Sequence, residues 1–580
     1  MDYLMATEHF IPGKDASLEA TIAQMQAKLV QLGFQVEERS WLNPLDDIWS
    51  VHLVDRDCPL LFTNGKGGSQ LAARASALGE FFERLSCHYF WSHYHLGPHY
   101  ATQTFAHHPQ ERWFPIGNNG AWPEELLTPS LQAFYNPANG VDAEMLVDRN
   151  TGNAERGICA LPFIRLSDGV RIWFPVNIIG NLYVSNGMSA GNTPLEARAQ
   201  ALSEIVERHV KFRVFTEGLC LPDVPDSVVT RYPRIAADIA ALREAGYGVL
   251  VRDASLGGQF PTLCVTLLNP KDQGCYCSFG SHPRFEIALE RALTELLQGR
   301  ALDALEGFPE PGFDQDEIAS APNLEIHFVD SSGIVGWSFL SDNPDFDFCD
   351  WNFSSTTAED YEWLVERIHE QGFDIHVADY THLGVYACRV IIPGMSEIYP
   401  IDDLEYENNS IANDFREAVL YLPELDDEEC TDLLDTLNDA GIADDRPVAA
   451  LIGLAPDPGS FWEDLRVGEL KTLLALAVGA EEAIREGCDW IHHFAQIHPE
   501  RLQVYRCIRT LLNLCDTGEY DPFRHALSSL YGPAILKQAE AMLTREQRFF
   551  NIQAPGTAFD GCLMHRRLLD AYEKVYHAHG

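Results

Sequence analysis

Glu80 and Glu83 stand in ARASALGEFFER (73–84), a stretch otherwise suited to a buried helix. The pattern returns at Glu204 and Glu207 in AQALSEIVER (199–208), and at Glu295 in ALERALTELLQ (288–298). Aligned on the helix, Ser76, Gln200 and Arg291 correspond, then Glu80, Glu204 and Glu295, then Glu83, Glu207 and Gln298. Positions i, i+4 and i+7 share one helix face, so each segment carries one polar stripe. The other positions are apolar or small, which predicts buried helices whose stripes face an interior cleft. The competing reading is three surface helices in which Glu is simply a good helix former. Glu196 adds a sixth carboxylate, although Thr193-Pro194-Leu195-Glu196 also fits a capping box with Pro at the first helical position.

If the stripes converge, six carboxylates raise one another's pKa in a low-dielectric cleft, and a bound cation removes that cost. All-oxygen ligands favour a hard ion such as Mg²⁺. Several Mg²⁺ ions point to a polyphosphate, whose oxygens complete the coordination shells. Arg84, Arg208, Arg291 and Lys66 supply positive charge for it. The loops NGKGGS and NGMSAGN precede helix N-termini, where backbone N–H groups favour anions. Neither loop is a Walker motif, so the pattern is not that of a P-loop NTPase.

The elements that must position these residues form an internal repeat. LLFTNGKGGSQLAARASALGEFFER (60–84), LYVSNGMSAGNTPLEARAQALSEIVER (182–208) and CSFGSHPRFEIALERALTELLQ (277–298) each read as strand, Gly-containing turn, helix. The first two share Asn-Gly, and on that anchor their loops differ in length by two residues. Elsewhere, 18–33 reads as a helix ending at a Gly stop, and 158–179 as a hairpin around Asp168-Gly169. FQVEERSW, IWSVHLVD, GVLVRDA, TLCVTLLNP and VYACRVIIPG read as further strands. The stretch 424–445 is crowded with Asp and Glu and lacks Lys and Arg; it reads as a solvated interdomain segment, helical in part. Beyond it the texture is helical, like a short tetratricopeptide array. The expectation is an α+β unit over 1–425 and an all-α unit over 426–580.

The chain has 580 residues and a formal net charge of −45. Such a surface repels phosphate backbones, which argues against direct nucleic-acid binding. No apolar run is long enough for a membrane span, and no signal-peptide pattern opens the sequence. Fourteen scattered cysteines suit free thiols in a reducing cytoplasm.

Taken together, Ser76-x-x-x-Glu80-x-x-Glu83-Arg84, SNGMSAGN with Glu196, Glu204-x-x-Glu207-Arg208 and Arg291-x-x-x-Glu295-x-x-Gln298 resemble the YcaO family. FIPGKDASLE, WLNP, GICALPF, ASLGGQFP, DWNFS and HLGVYACRVIIPGMSEIYP extend the resemblance over almost the entire chain. It implies a YcaO-type ATP-binding fold built from repeated strand–loop–helix units, with Mg²⁺ held by Glu80, Glu83, Glu196, Glu204, Glu207 and Glu295. Lys14, Ser76, Arg84, Asn192, Arg208, Arg291 and Gln298 would contact ATP. Family members activate a peptide amide: its oxygen attacks ATP, ADP leaves, and a nucleophile then reacts at the carbon as phosphate departs. Azoline-forming members end in a Pro-rich tail, whereas this sequence ends in AYEKVYHAHG, which puts azoline synthesis in doubt. The resemblance implies instead an accessory factor for β-methylthiolation of an aspartate in a small-subunit ribosomal protein. Its partners would be that protein or its methylthiotransferase, in a cytoplasmic homodimer. A carboxylate-bridged metal hydrolase and a non-catalytic adaptor are the rival readings.

His88, His93, His95 and His99 crowd one segment, but interleaved aromatics and no matching Cys spacing favour packing over zinc. Cys275 and Cys277 fall on one face of a strand, as core filling. His492, His493 and His498 read as surface residues.

Overall fold

The computed structural model describes residues 8–578 apart from 495 and 519. Strands β1 (Val36–Leu45), β2 (Ile48–Asp55) and β3 (Phe62–Gly67) form an antiparallel sheet in chain order. Next come β4 (Arg112–Phe114), β5 (Ile158–Arg165), β6 (Arg171–Pro175) and β7 (Met188–Gly191). A second antiparallel sheet holds β8 (Gly248–Asp253), β9 (Thr262–Leu268) and β10 (Cys275–Ser281), in the order β10-β9-β8. Strands β11 (His376–Tyr380) and β12 (Tyr386–Ile391) return to complete the largest sheet, β4-β5-β11-β12-β7, with β6 also paired to β5. The β5–β6 turn is the Asp168-Gly169 pair: Asp168 accepts from Val170 N at 3.0 Å, and Gly169 takes φ +73°.

Helix α1 (Leu18–Leu32) starts at Ser17, whose hydroxyl accepts from Ala20 N, and stops at Gly33 with φ +85°. The three striped helices are α2 (Gln70–Ser86), α3 (Pro194–Thr216) and α4 (Phe285–Leu297), entered from Ser69, Thr193 and Arg284. These entry residues lie four before Ala73, Ala197 and Ala288, which the helix alignment already equates. Gly67 and Gly191 lie six before Ala73 and Ala197. The strand-to-helix turns of the first two units are therefore equal in length, which corrects the expected two-residue difference. Asn64-Gly65 lies inside β3, whereas Asn186-Gly187 precedes β7, so the shared dipeptide does not mark equivalent positions.

Strand and helix nearly touch in these units. A Cβ on Gly65 would sit 2.1 Å from Ala73 O and 2.5 Å from Ala77 N. A Cβ on Gly280, at the matching position of the third unit, would sit 2.2 Å from Ala288 O and 2.4 Å from Ala292 N. Two residues earlier, Thr63 Oγ1 donates to Ala77 O at 2.9 Å and Ser278 Oγ to Ala292 O. Glycine for contact, a hydroxyl for the helix carbonyl and alanine opposite both set the depth at which the stripes of α2 and α4 sit; the second unit has Ser189 and Gly187 at the matching positions. Helix α5 (Thr357–Glu370) packs Leu364 and Ile368 against the buried side of α3.

The helices that follow are α6 (Asp427–Asp439), α7 (Val467–Val478), α8 (Glu481–Phe494), α9 (Pro499–Thr517) and α10 (Pro533–Leu543). They share one core reaching from Ala412 to Cys562. The acidic segment is not a linker between units: α6 buries Cys430, Leu433, Leu434 and Leu437 in this core and turns its carboxylates outward. That apolar spacing is helical, and the charge density conceals it in a composition count.

Helix α11 (Leu563–His577) packs elsewhere. Leu568, Ala571, Tyr572 and Val575 join the cluster that backs α2, with Leu78, Phe81, Phe82 and Trp91. Trp91 Nε1 donates to Leu568 O at 2.9 Å, and Tyr572 OH to Ala106 O at 2.6 Å. Among the described residues, no helix is long and apolar enough to cross a membrane.

Candidate functional site

The stripes of α2, α3 and α4 meet. Lys66, at the end of β3, pairs with Glu295 of α4. Burial and the nearby Arg291 guanidinium pull the Lys66 ammonium down to about 8, against the carboxylates of Glu207, Glu80 and Glu204. Gln298 Nε2 donates to Asn64 O at 2.5 Å, tying α4 to the first unit. Arg291 reaches Glu207 of α3 at 3.3 Å. Glu207 also accepts from Ser281 N at 3.2 Å. Within helices, Arg84 pairs with Glu80, and Arg208 with Glu204 at 2.5 Å. Arg208 further donates to Asn186 Oδ1 at 2.9 Å.

Two carboxylates are held under stress. Burial, then Glu204 and Glu80, push the Glu83 carboxyl well above its ordinary range. Burial and Glu207 push Glu204 up, and Arg208, Arg291 and Lys66 oppose the shift. Arg84 Nε and Arg291 Nε are buried without a hydrogen-bond partner. A cleft of mutually repelling carboxylates beside underused guanidiniums suits a hard cation together with an anionic ligand. Among the described residues, no group of three or more His, Cys, Asp or Glu side chains is already gathered around one ion position. The carboxylates meet Arg and Lys instead.

Glu196, Asn192 and Lys14 form a second cluster at the start of α3. The buried Glu196 accepts from Asp15 N at 2.9 Å and Asn192 Nδ2 at 3.0 Å, and lies 3.3 Å from Lys14 Nζ. Thr193 Oγ1 accepts from Glu196 N at 3.2 Å, which is half a capping box; the Glu196 carboxylate turns to Lys14 rather than back to Thr193 N. The buried His282 imidazole links the clusters: burial, then Arg291, Arg284 and Lys14, hold it well below its ordinary range. Ser76 lies exposed on α2, one turn before Glu80. Asp15, Ser281 and His282 join these contacts, and their sequence context offers no repeat signal that would single them out.

The histidine segment is packed, not gathered. His88 lies against Trp91 and His95 against Phe559. Burial takes His93 down to about 4. His95 N donates to Gly453 O at 2.8 Å. The cysteines are free thiols, and Cys264, Cys275 and Cys277 share one core.

Residues 64–396 match a family model described as YcaO cyclodehydratase, ATP- and Mg²⁺-binding, and residues 412–580 match the YcaO cyclodehydratase C-terminal domain. The chain is 47% identical over 578 residues, 99% of each chain, to the ribosomal protein S12 methylthiotransferase accessory factor YcaO of Escherichia coli. An uncharacterized Haemophilus influenzae protein is 45% identical over 581 residues, again 99% of each chain. Among solved structures, YcaO from Methanopyrus kandleri bound with AMPPCP and Mg²⁺ is 19% identical, with a TM-score of 0.42 over 65% of this chain and 91% of that one. Mixed strands and helices, a helical C-terminal part and two family matches along one chain place it in the YcaO family.

Proposed function

We propose that the cleft between α2, α3 and α4 binds ATP with Mg²⁺, and that the chain uses it to support methylthiolation of a small-subunit ribosomal protein. The observation that carries the reading is the meeting of three acidic stripes with Lys66, Arg84, Arg208 and Arg291 in one cleft. The 47% identity to an S12 methylthiotransferase accessory factor supports the biological role.

Glu80, Glu83, Glu204, Glu207 and Glu295 would hold Mg²⁺, with Glu196 at the edge beside Lys14 and Asn192. Bound Mg²⁺ supplies charge neutralisation for the phosphates. Arg84, Arg208 and Arg291 would release their carboxylates to the metal and turn to phosphate oxygens. Ser76 and Gln298 flank the cleft as hydrogen-bonding groups for the nucleotide. Catalysis in such a site rests on positioning and fixed charge. The reaction would be transfer of the terminal phosphoryl group to a peptide amide oxygen, releasing ADP and then phosphate.

Calorimetry tests the binding claim: ATP is expected to bind with Mg²⁺ and far more weakly with EDTA. Equal binding in both conditions would count against the carboxylate role. The Lys66 ammonium favours a triphosphate only while charged. ATP affinity should therefore fall as pH rises through about 8, by at most about tenfold per pH unit. Lys66→Gln should flatten that profile.

A further inference from the structure

One helical turn beyond Glu83, α2 ends at Cys87 on the wall of a cavity with about 40 Å³ of room for water centres. Cys87, Arg149, Asn177, Val184, Arg389 and Asn409 are among its lining residues. A water needs roughly 10–15 Å³ on this measure, so the space suits a few waters or one small ion.

Its polar lining is incomplete. Arg389, only 5% exposed, donates through Nη2 to Val184 O, yet its Nε is buried without a partner. Asn177 Oδ1 and Asn409 Oδ1 are likewise buried and unpartnered. Asn177 is held by Nδ2 donation to Asn408 Oδ1 at 3.0 Å, which fixes its amide orientation. Arg149 donates to the Ala450 and Leu451 carbonyls and leaves Nε unpartnered. Among the described residues, neither Arg149 nor Arg389 makes an ion pair. The acid lining the cavity, Asp148, is engaged by His107 at 3.3 Å. Glu83 lies beyond the wall, within electrostatic reach of Arg389. A buried Arg389 guanidinium and a half-buried Arg149 without counter-ions are unexpected in a chain of net charge −45.

The backbone is also unusual here. A π-helical turn over Ile179–Tyr183 leads into Val184, a β-branched residue at φ 49°, and His88 takes φ 60°. Such conformations cluster at ligand sites, where surrounding structure holds them.

We propose that this cavity binds one inorganic phosphate ion in its dihydrogen form, with Arg389 donating to the anion and Asn177 and Asn409 each accepting from one of its two hydroxyls. Unpaired N–H groups alone would suit any small anion. Two unpaired carbonyl oxygens require an anion that also donates twice, which dihydrogen phosphate does and sulfate and acetate do not. The proposal rests on the nucleotide reading only for the origin of the phosphate, which ATP cleavage near Glu83 would release.

The test is calorimetry on the full chain with sodium phosphate, sulfate and acetate, first alone and then with AMPPCP and Mg²⁺ saturating the nucleotide cleft. Phosphate is expected to bind once per chain in both conditions, at least about tenfold more tightly than the other anions. Asn409→Asp places a carboxylate in the lining and should weaken phosphate about tenfold at an unchanged urea midpoint. Equal affinity for sulfate, or an Asn409→Asp protein that binds as wild type, overturns the assignment. If that variant does not fold, phosphate-soaked wild-type crystals decide: density between Arg389 and Asn409 supports the site, and its absence there refutes it. Failure of the nucleotide reading would show separately, as absent AMPPCP binding with phosphate binding intact.

Discussion

Glu204→Ala protein should bind ATP with Mg²⁺ about a hundredfold more weakly than wild type, while its ligand-free form melts no earlier. A hundredfold is about 2.7 kcal/mol. Glu204 contacts Arg208 and lies within electrostatic reach of Arg291, Lys66, Glu207 and Glu83, so its loss disturbs all three stripes. The ligand-free result has the opposite origin. Glu83 and Glu204 have raised pKa values in the fold, so the folded chain holds more protons than the unfolded chain above the ordinary value of 4.5. Stability without ligand therefore falls as pH rises from there toward the folded values. Alanine at 204 removes one acid and relieves the other, so that fall should flatten. Calorimetry with ATP and melting from pH 4 to pH 8 read the two effects. Undiminished ATP affinity would disconnect Glu204 from the nucleotide.

The second large effect concerns the contact between strand and helix. Gly65→Ala and Gly280→Ala should each destabilise the protein by about 3 kcal/mol, the upper end for overpacking. Each new methyl would lie 2.1–2.2 Å from a helix carbonyl oxygen, which is backbone and cannot rotate aside. Relief requires α2 or α4 to move off its strand, carrying Glu80 and Glu83 or Glu295 with it, so ATP affinity should fall as well. Gly79→Ala is the control: a Cβ there meets nothing within 4 Å, and the change should stabilise α2 by up to about 1 kcal/mol. Urea midpoints of the three variants decide. A wild-type midpoint for Gly65→Ala would show that the close approach does not constrain the unit.

The striped helices were legible because their periodicity is strong: Glu80, Glu83, Glu204, Glu207 and Glu295 lie on the faces that the spacing predicts. The strands of 36–55 were legible as strand-like apolar runs, and the hairpin by its Asp168-Gly169 turn, although it ends at Pro175 and the chain turns helical over 176–179, within the expected 158–179. The alignment of the first two units was misread because Asn-Gly is conspicuous, whereas Gly67 and Gly191, the equivalent pair, stand among other small residues. Glu196 carried two readings, and only tertiary contacts from Lys14 and Asp15 separate them. The acidic segment is solvated and partly helical as expected, but its part in the helical core went unseen because composition hides the apolar face of α6. The cavity beside Cys87 had no sequence signature at all: Asn177, Arg389 and Asn409 come from distant segments, and what marks them is the hydrogen bonds they fail to make.

Helix α11 has a consequence for biosynthesis. Trp91 and Leu568, joined by a hydrogen bond, are 477 residues apart along the chain. A ribosome adding about 5–20 residues per second takes roughly 25–95 s to travel that distance. Throughout that interval the nascent α2 has emerged with its cluster still lacking Leu568, Ala571, Tyr572 and Val575. The hydrophobic backing of α2 is therefore complete only once translation has passed Val575.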